Sequence, residues 1–220
     1  MADSPFRFFD PVEPITITRG HLPHWDQAGA TYFITWRTLD SLPLPVWNKL
    51  LSLRAAWLRT YKINPQAPDW RWHFEHLPKV LRLEFARLFS MNLDMELDSC
   101  HGACLLKQPE FARIVADSLH HFDGDRYVLG DFIVMPNHVH LLVGGMARNA
   151  MLAQMKSWKR WTSRELNRHV GRKGRFWQDE GFDHLVRSEA AFEKFRRYIA
   201  GNSVKAKLRP GEYLHWARPN

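Results

Sequence analysis

Cysteine is scarce. The 220-residue chain holds two, Cys100 and Cys104 in CHGAC, too few for a disulfide framework and without the second pair that a structural zinc site needs. We read them as reduced, structurally incidental thiols. Long apolar runs are also missing. No stretch approaches the roughly 18 to 20 residues of a membrane-spanning helix, and the opening MADSPFRFFD lacks the charged-then-apolar order of a secretory signal. The expectation is a cytoplasmic protein without a membrane partner. Acid is short relative to base: 23 Asp and Glu face 31 Lys and Arg, and the net charge of +8 favours a polyanionic partner, nucleic acid first. Internal repeats and low-complexity tracts are absent, and 45% hydrophobic residues suffice for a buried core, which excludes disordered and collagen-like classes. The length fits one domain spanning 1–220.

Along the chain, Pro5, Pro11, Pro14 and Pro23 predict an extended surface course for the first 30 residues. TYFITWRT at 31–38 alternates as a strand, with Tyr32, Ile34 and Trp36 on one face and Phe33 on the other. Helices are expected over 45–61, over 75–98 with Pro78 in the first turn, and from Pro109 onward. Residues 126–135 and 138–144 read as two strands whose short Pro136-Asn137 link makes them antiparallel. A helix over 147–170 follows, and a last one over 188–200 starts at Ser188 and stops near Gly201. The order implies an antiparallel sheet covered by helices, an α+β fold.

Three features carry chemistry. His138 and His140 in HVHLLV lie two apart on a strand, so both imidazoles share a face, with Cα atoms roughly 6.5 to 7 Å apart and able to close on one divalent ion. The plain alternative is a pair satisfied by backbone carbonyls or solvent. Leu142 stands where a histidine-triad hydrolase would want a third His. In SEAAFEKFRRYIAGN, Phe192, Phe195 and Ile199 form a buried stripe, leaving Tyr198 on its flank beside Arg196 and Arg197. A helix surviving through Gly201 would put Asn202 one turn beyond Tyr198; a packed core tyrosine followed by a helix-ending Asn is the alternative. A phenol attacks a phosphodiester only if its phenolate is stabilised, and nearby arginines or a metal could do so. Finally, residues 151–175 carry eight bases (Lys156, Lys159, Arg160, Arg164, Arg168, Arg172, Lys173 and Arg175) against one acid, Glu165. Lys156, Arg160, Arg164 and Arg168 form a stripe opposite Met151, Met155, Trp158, Thr162 and Leu166. Trp161, with Phe176 and Trp177 beyond the turn, offers stacking surface for unpaired bases among these cations.

MPNHVHLLV at 135–143, GRFWQDEGFDHLVR at 174–187 and YIAGNSVKAKL at 198–208 resemble, in order and spacing, the REP-associated tyrosine transposases, a branch of the single-tyrosine HUH transposases. TYFITWRT and DGDRYVLGDFIVMPNHVH are similar to that family's first strand and central hairpin, while 62–108 matches poorly and reads as an insertion. The resemblance implies a ferredoxin-like HUH core, Mg²⁺ or Mn²⁺ held by His138, His140 and Asn202, and Tyr198 as the nucleophile that nicks single-stranded DNA near a hairpin through a 5′-phosphotyrosine. It also points to a monomer. The family usually reads YIxxNPVKAGL; here Ser203 replaces the Pro and Lys207 the Gly, which bears on how the last helix ends. Two other classes stay open: a DNA-binding protein of the same fold with an idle centre, and a metallophosphoesterase acting on a small substrate.

Overall fold

The computed structural model describes residues 4–14, 16–19, 23–179 and 181–219. They form two compact units, Met1–Leu39 with Cys104–Asn220, and Asp40–Ala103. In the first, regular structure begins within the segment expected to run extended: β1 (Thr16–Arg19) pairs with β2 (Pro23–Asp26) as an antiparallel ribbon. The main sheet comprises β3 (Tyr32–Arg37), β4 (Val128–Val134), β5 (His138–Gly144), β6 (Phe182–Leu185) and β7 (Leu214–Trp216) in the order β6-β3-β5-β4-β7. Every neighbouring pair is antiparallel. The helix α4 (Pro109–His120) and the helix α5 (Arg148–His169) make the two crossovers, from β3 to β4 and from β5 to β6. That is the split βαβ arrangement of a ferredoxin-like α+β domain, with β7 added at one edge.

Side-chain alternation explains the layering. Tyr32, Ile34 and Trp36 of β3 and Val139, Leu141 and Val143 of β5 are buried with Phe111, Val115 and Leu119 of α4 and Met151, Met155, Trp158 and Leu166 of α5. The other face carries Phe33, Ile133 and Leu142, covered by Phe192 and Ile199 of the last helix, α6 (Glu189–Lys205). A bulge between Leu129 and Phe132 shifts the register of β4 against β5 and turns Asp131 toward α6. Gly130 sits in that bulge because a Cβ there would come within 2.8 Å of the Leu142 Cβ.

Helix α6 starts where the sequence placed it, with the Ser188 hydroxyl accepting from the Ala191 N–H at 3.2 Å, but it does not stop near Gly201. It continues to Lys205 and closes with a paired turn: the Lys207 N–H donates to the Val204 carbonyl and the Leu208 N–H to the Ser203 carbonyl. This is a Schellman closure with Lys207 in the left-handed position at φ 53, the place of the glycine in the motif YIxxNPVKAGL.

In the second unit, α1 (Leu44–Thr60) matches its expectation. The stretch expected as one helix over 75–98 is instead α2 (Trp70–Glu75) and α3 (Lys79–Asp98), because Pro78 begins the second helix and forbids continuity through it. Leu42, Leu50 and Leu97 are its buried centre, with Trp47, Phe89 and Leu93 packed around them. Cys100 and Cys104 are disulfide-bonded, not reduced; left-handed backbone at both residues (φ 54 and 47) folds CHGAC back on itself. Among the described residues no helix is long and apolar enough to cross a membrane.

Candidate active site

β5 aims His138 and His140 at the α6 side of the sheet, opposite the face on which Val139 and Leu141 are buried. Both imidazoles are almost wholly enclosed, at 1% and 2% exposure, with ring centroids 4.7 Å apart. Each is oriented through Nδ1. His138 Nδ1 pairs with the Asn137 Oδ1 at 2.7 Å, and His140 Nδ1 with the Thr35 hydroxyl at 2.6 Å, across the β3–β5 ladder. Fixing Nδ1 in this way leaves Nε2 as the atom each ring presents to an external partner. His140 Nε2 is buried and has no partner among the described residues.

Burial holds both rings in the neutral form that ligates metals. It pushes His138 down to about 3, with the Lys205 charge adding to the effect. His140 is driven well below its ordinary value by burial first, then by the neighbouring His138 and by Lys205.

The helix α6 brings the remaining groups. The ring of Tyr198 is half-buried and lies edge-on to His140 with centroids 5.2 Å apart. Because α6 runs through Gly201, Asn202 follows one turn later, 1% exposed, and both its Oδ1 and Nδ2 lack partners among the described residues. A buried amide with both ends unmet costs stability, a cost that a bound group could offset. Together, two imidazoles and an amide oxygen would make a mixed nitrogen and oxygen donor set, a chemistry that suits Mn²⁺ better than Mg²⁺, an ion that prefers oxygen and retained water. No cluster of three His, Cys, Asp or Glu side chains accompanies them among the described residues.

Arg196, read from the sequence as a cation for the phenolate, is otherwise engaged. Its Nε donates to the buried Asp131 carboxylate at 2.9 Å and its Nη1 to Glu193 at 3.3 Å. Thr35 and Asn137 escaped sequence reasoning. The alternation of strand residues, which sets Thr35 on the same face as Phe33, was the available signal for the first.

The basic helix has the predicted two faces: Met151, Met155, Trp158, Thr162 and Leu166 are buried, and Lys156, Arg160, Arg164 and Arg168 exposed. Trp161 is 41% exposed beside the stripe. Phe176 and Trp177 offer no stacking surface, since both are core residues and Trp177 donates its indole N–H to the Thr162 hydroxyl at 2.9 Å. Four of the eight cations have local partners: Arg164 and Arg168 pair with Glu165, Arg175 with Asp179, and Lys159 donates to the Asp179 carbonyl. Lys156, Arg160, Arg172 and Lys173 are exposed. Helix α5 covers the opposite face of the sheet from the histidines, so this stripe and the His-Tyr-Asn group are on different sides of the domain.

Residues 113–202 match the model of the IS200-like transposase family. No curated protein matches the chain. Among solved structures, a REP-associated tyrosine transposase bound to a REP hairpin is similar, at 13% identity and a TM-score of 0.41, over 89% of this chain and 90% of that one. The matched residues 113–202 include the histidine hairpin, the basic helix and the tyrosine helix as far as Asn202, so this part of the chain is similar to the IS200-like transposase family.

Proposed function

We propose that this protein is a metal-dependent, transposase-like DNA transesterase that nicks and rejoins single-stranded DNA near hairpins through a 5′-phosphotyrosine on Tyr198. The observation that carries the reading is the meeting of a phenol with three orphaned polar atoms, His140 Nε2 and both ends of Asn202, on one buried face. His138, His140 and Asn202 are the groups that would hold Mn²⁺ or Mg²⁺, and the ion, when bound, draws charge from a phosphate oxygen.

Thr35 and Asn137 keep the two imidazoles turned with Nε2 outward. Phe33 and His140 hold the Tyr198 ring, so its oxygen moves little before attack. The Tyr198 oxygen bonds to phosphorus, the P–O3′ bond breaks, the phenolic proton passes to solvent and the departing 3′ oxygen takes one up. The resulting ester keeps the energy of the broken linkage, and a 3′ hydroxyl can reverse it; strand transfer follows without a cofactor that spends energy. The exposed α5 cations and Trp161 would grip the strand away from the cut.

The test uses pooled hairpin-bearing single-stranded oligonucleotides labelled at the 3′ end, incubated with purified protein and Mn²⁺. A labelled covalent adduct is expected from the wild type and none from Tyr198→Phe. An adduct that persists in Tyr198→Phe, or cut DNA released without any adduct, refutes the assignment; the second result favours a phosphoesterase.

A further inference from the structure

Helix α3 has two apolar faces, and α1 packs on one of them. Phe85, Phe89, Leu93 and Leu97 follow one another at every fourth position; Phe85 meets Trp57 of α1 with ring centroids 4.9 Å apart, and Leu97 is buried with Leu42 and Leu50. On the opposite side run two more rows of the same spacing, Val80-Glu84-Leu88 and Leu83-Arg87-Met91-Met95, and all seven residues are exposed. Val80 is 73% exposed, Leu83 59% and Met95 60%, so water covers a side of the composition that helices normally bury. Two such rows side by side make the ridge and groove by which helices cross one another.

The charges on α3 indicate what fits there. Residues 79–87 hold Lys79, Arg82 and Arg87 against one acid, Glu84, while residues 94–98 hold Asp94, Glu96 and Asp98 and no base. That order is the reverse of what the helix dipole favours, acids first and bases last. It suits a second helix of the same charge order laid antiparallel, because each basic half then lies over an acidic half. A uniformly acidic or uniformly basic partner would match only one half. Glu84 and Arg87, three apart among the exposed apolar residues, are complementary in the same arrangement: a two-fold axis between them sets Glu84 of each copy beside Arg87 of the other. Glu84 takes the Trp57 indole N–H on Oε1 at 3.4 Å, which leaves Oε2 for another donor. Covering the five apolar side chains on two copies removes on the order of 1,000 Å² from water, the size at which specific interfaces begin.

We propose that the outer face of α3 binds a second copy of this chain, antiparallel across a two-fold axis, with Leu83, Leu88 and Met91 packed near the axis and two Glu84–Arg87 pairs beside them. The segment that matches the transposases poorly is then an assembly element, and the protein departs from the monomer that the resemblance implies. No residue of the His-Tyr-Asn group takes part, so the inference stands or falls apart from the transesterase reading.

The experiment is sedimentation velocity on the full chain without DNA, over a concentration range reaching about 200 μM. An interface of this size should give a reversible dimer with a dissociation constant of about 1 to 100 μM. Met91→Lys, a change at an exposed helical position, should keep the circular dichroism and the thermal midpoint of the dilute wild type while weakening association about 10-fold or more. Glu84→Arg and Arg87→Glu should each weaken it about 10-fold, since each sets two like-charged pairs in contact. An equimolar mixture of these two variants should regain the dimer, because in the mixed species both pairs are again opposite in sign. A wild type that stays monomeric throughout the range overturns the proposal and leaves the face to a different partner. A dimer that Met91→Lys leaves intact overturns it too, as does a mixture of the charge variants that associates no better than either alone.

Discussion

Tyr198 meets His140 edge to face, with 5.2 Å between ring centroids and 74° between planes, while Phe33 stacks on His140 at 17° and takes the Tyr198 edge at 83°. The phenol is thus held by its ring. Tyr198→Phe should keep that packing, changing stability by about 1 kcal/mol or less, while adduct formation falls by roughly three orders of magnitude or more. Thermal unfolding and the adduct assay on one preparation check both halves. A large loss of stability would mean that the hydroxyl is a structural group.

Asn202 stands in tension with the stability of the metal-free fold. Both of its polar atoms are buried and unmet among the described residues, so Asn202→Leu should stabilise the metal-free protein by about 1 kcal/mol, read by urea denaturation. The same variant should lose the extra stability that added Mn²⁺ gives the wild type. Destabilisation without metal would show that the amide is satisfied inside the fold.

The buried imidazoles set an acid limit. His138 is pushed from 6.5 down to about 3 and His140 well below its usual value, so as pH falls below 6.5 the unfolded chain takes up protons that the native state refuses. The stabilisation is fully present above about pH 6.5 and is lost on the way down to about 3, at up to about 1.4 kcal/mol per pH unit for each ring. Urea midpoints measured from pH 7 to 4 should show this slope. Replacing both rings with Gln, which does not titrate, should flatten it; an equally steep profile in that double variant would assign the effect to other groups.

Lys207 holds the left-handed position that ends α6, at φ 53. A side chain there costs on the order of 1 kcal/mol that glycine avoids. Lys207→Gly should therefore raise the unfolding midpoint by that much and leave adduct formation within about twofold, since the closure of the helix past Lys205 is unchanged. A lower melting temperature would contradict the assigned closure.

The exposed α5 cations should act one by one on DNA affinity. Lys156→Gln or Arg160→Gln is expected to reduce the salt slope for single-stranded DNA by about 0.7 each, uniformly across sequences. Arg175, already paired with Asp179, should change it less. Equal effects at all three positions would mean that the local ion pair does not compete with phosphate.

Much of the fold was legible because it depends on local periodicity. The strand pair around Pro136-Asn137 follows from alternation, and the two faces of α5 follow from a 3.6-residue repeat that sorts Trp158 inward and Arg160 outward. Short elements without such a repeat were not. β6 and β7 have four and three residues, and only pairing with β3 and β4 makes them strands. Phe176 and Trp177, which as letters among cations read like stacking surface, are core residues because β3 and α5 close over them.

The order of residues alone determined that His138 and His140 share a face, since a strand's side chains alternate with period two, and that Asn202 lies one turn past Tyr198, since a helix repeats near four. Whether those two surfaces meet was a question of tertiary structure. Packing of α6 across β4 and β5 set the phenol against the imidazole, and the bulge at Gly130 and Asp131 drew Arg196 away from it. Each of these joins residues far apart in the chain through burial and register, which no local pattern encodes.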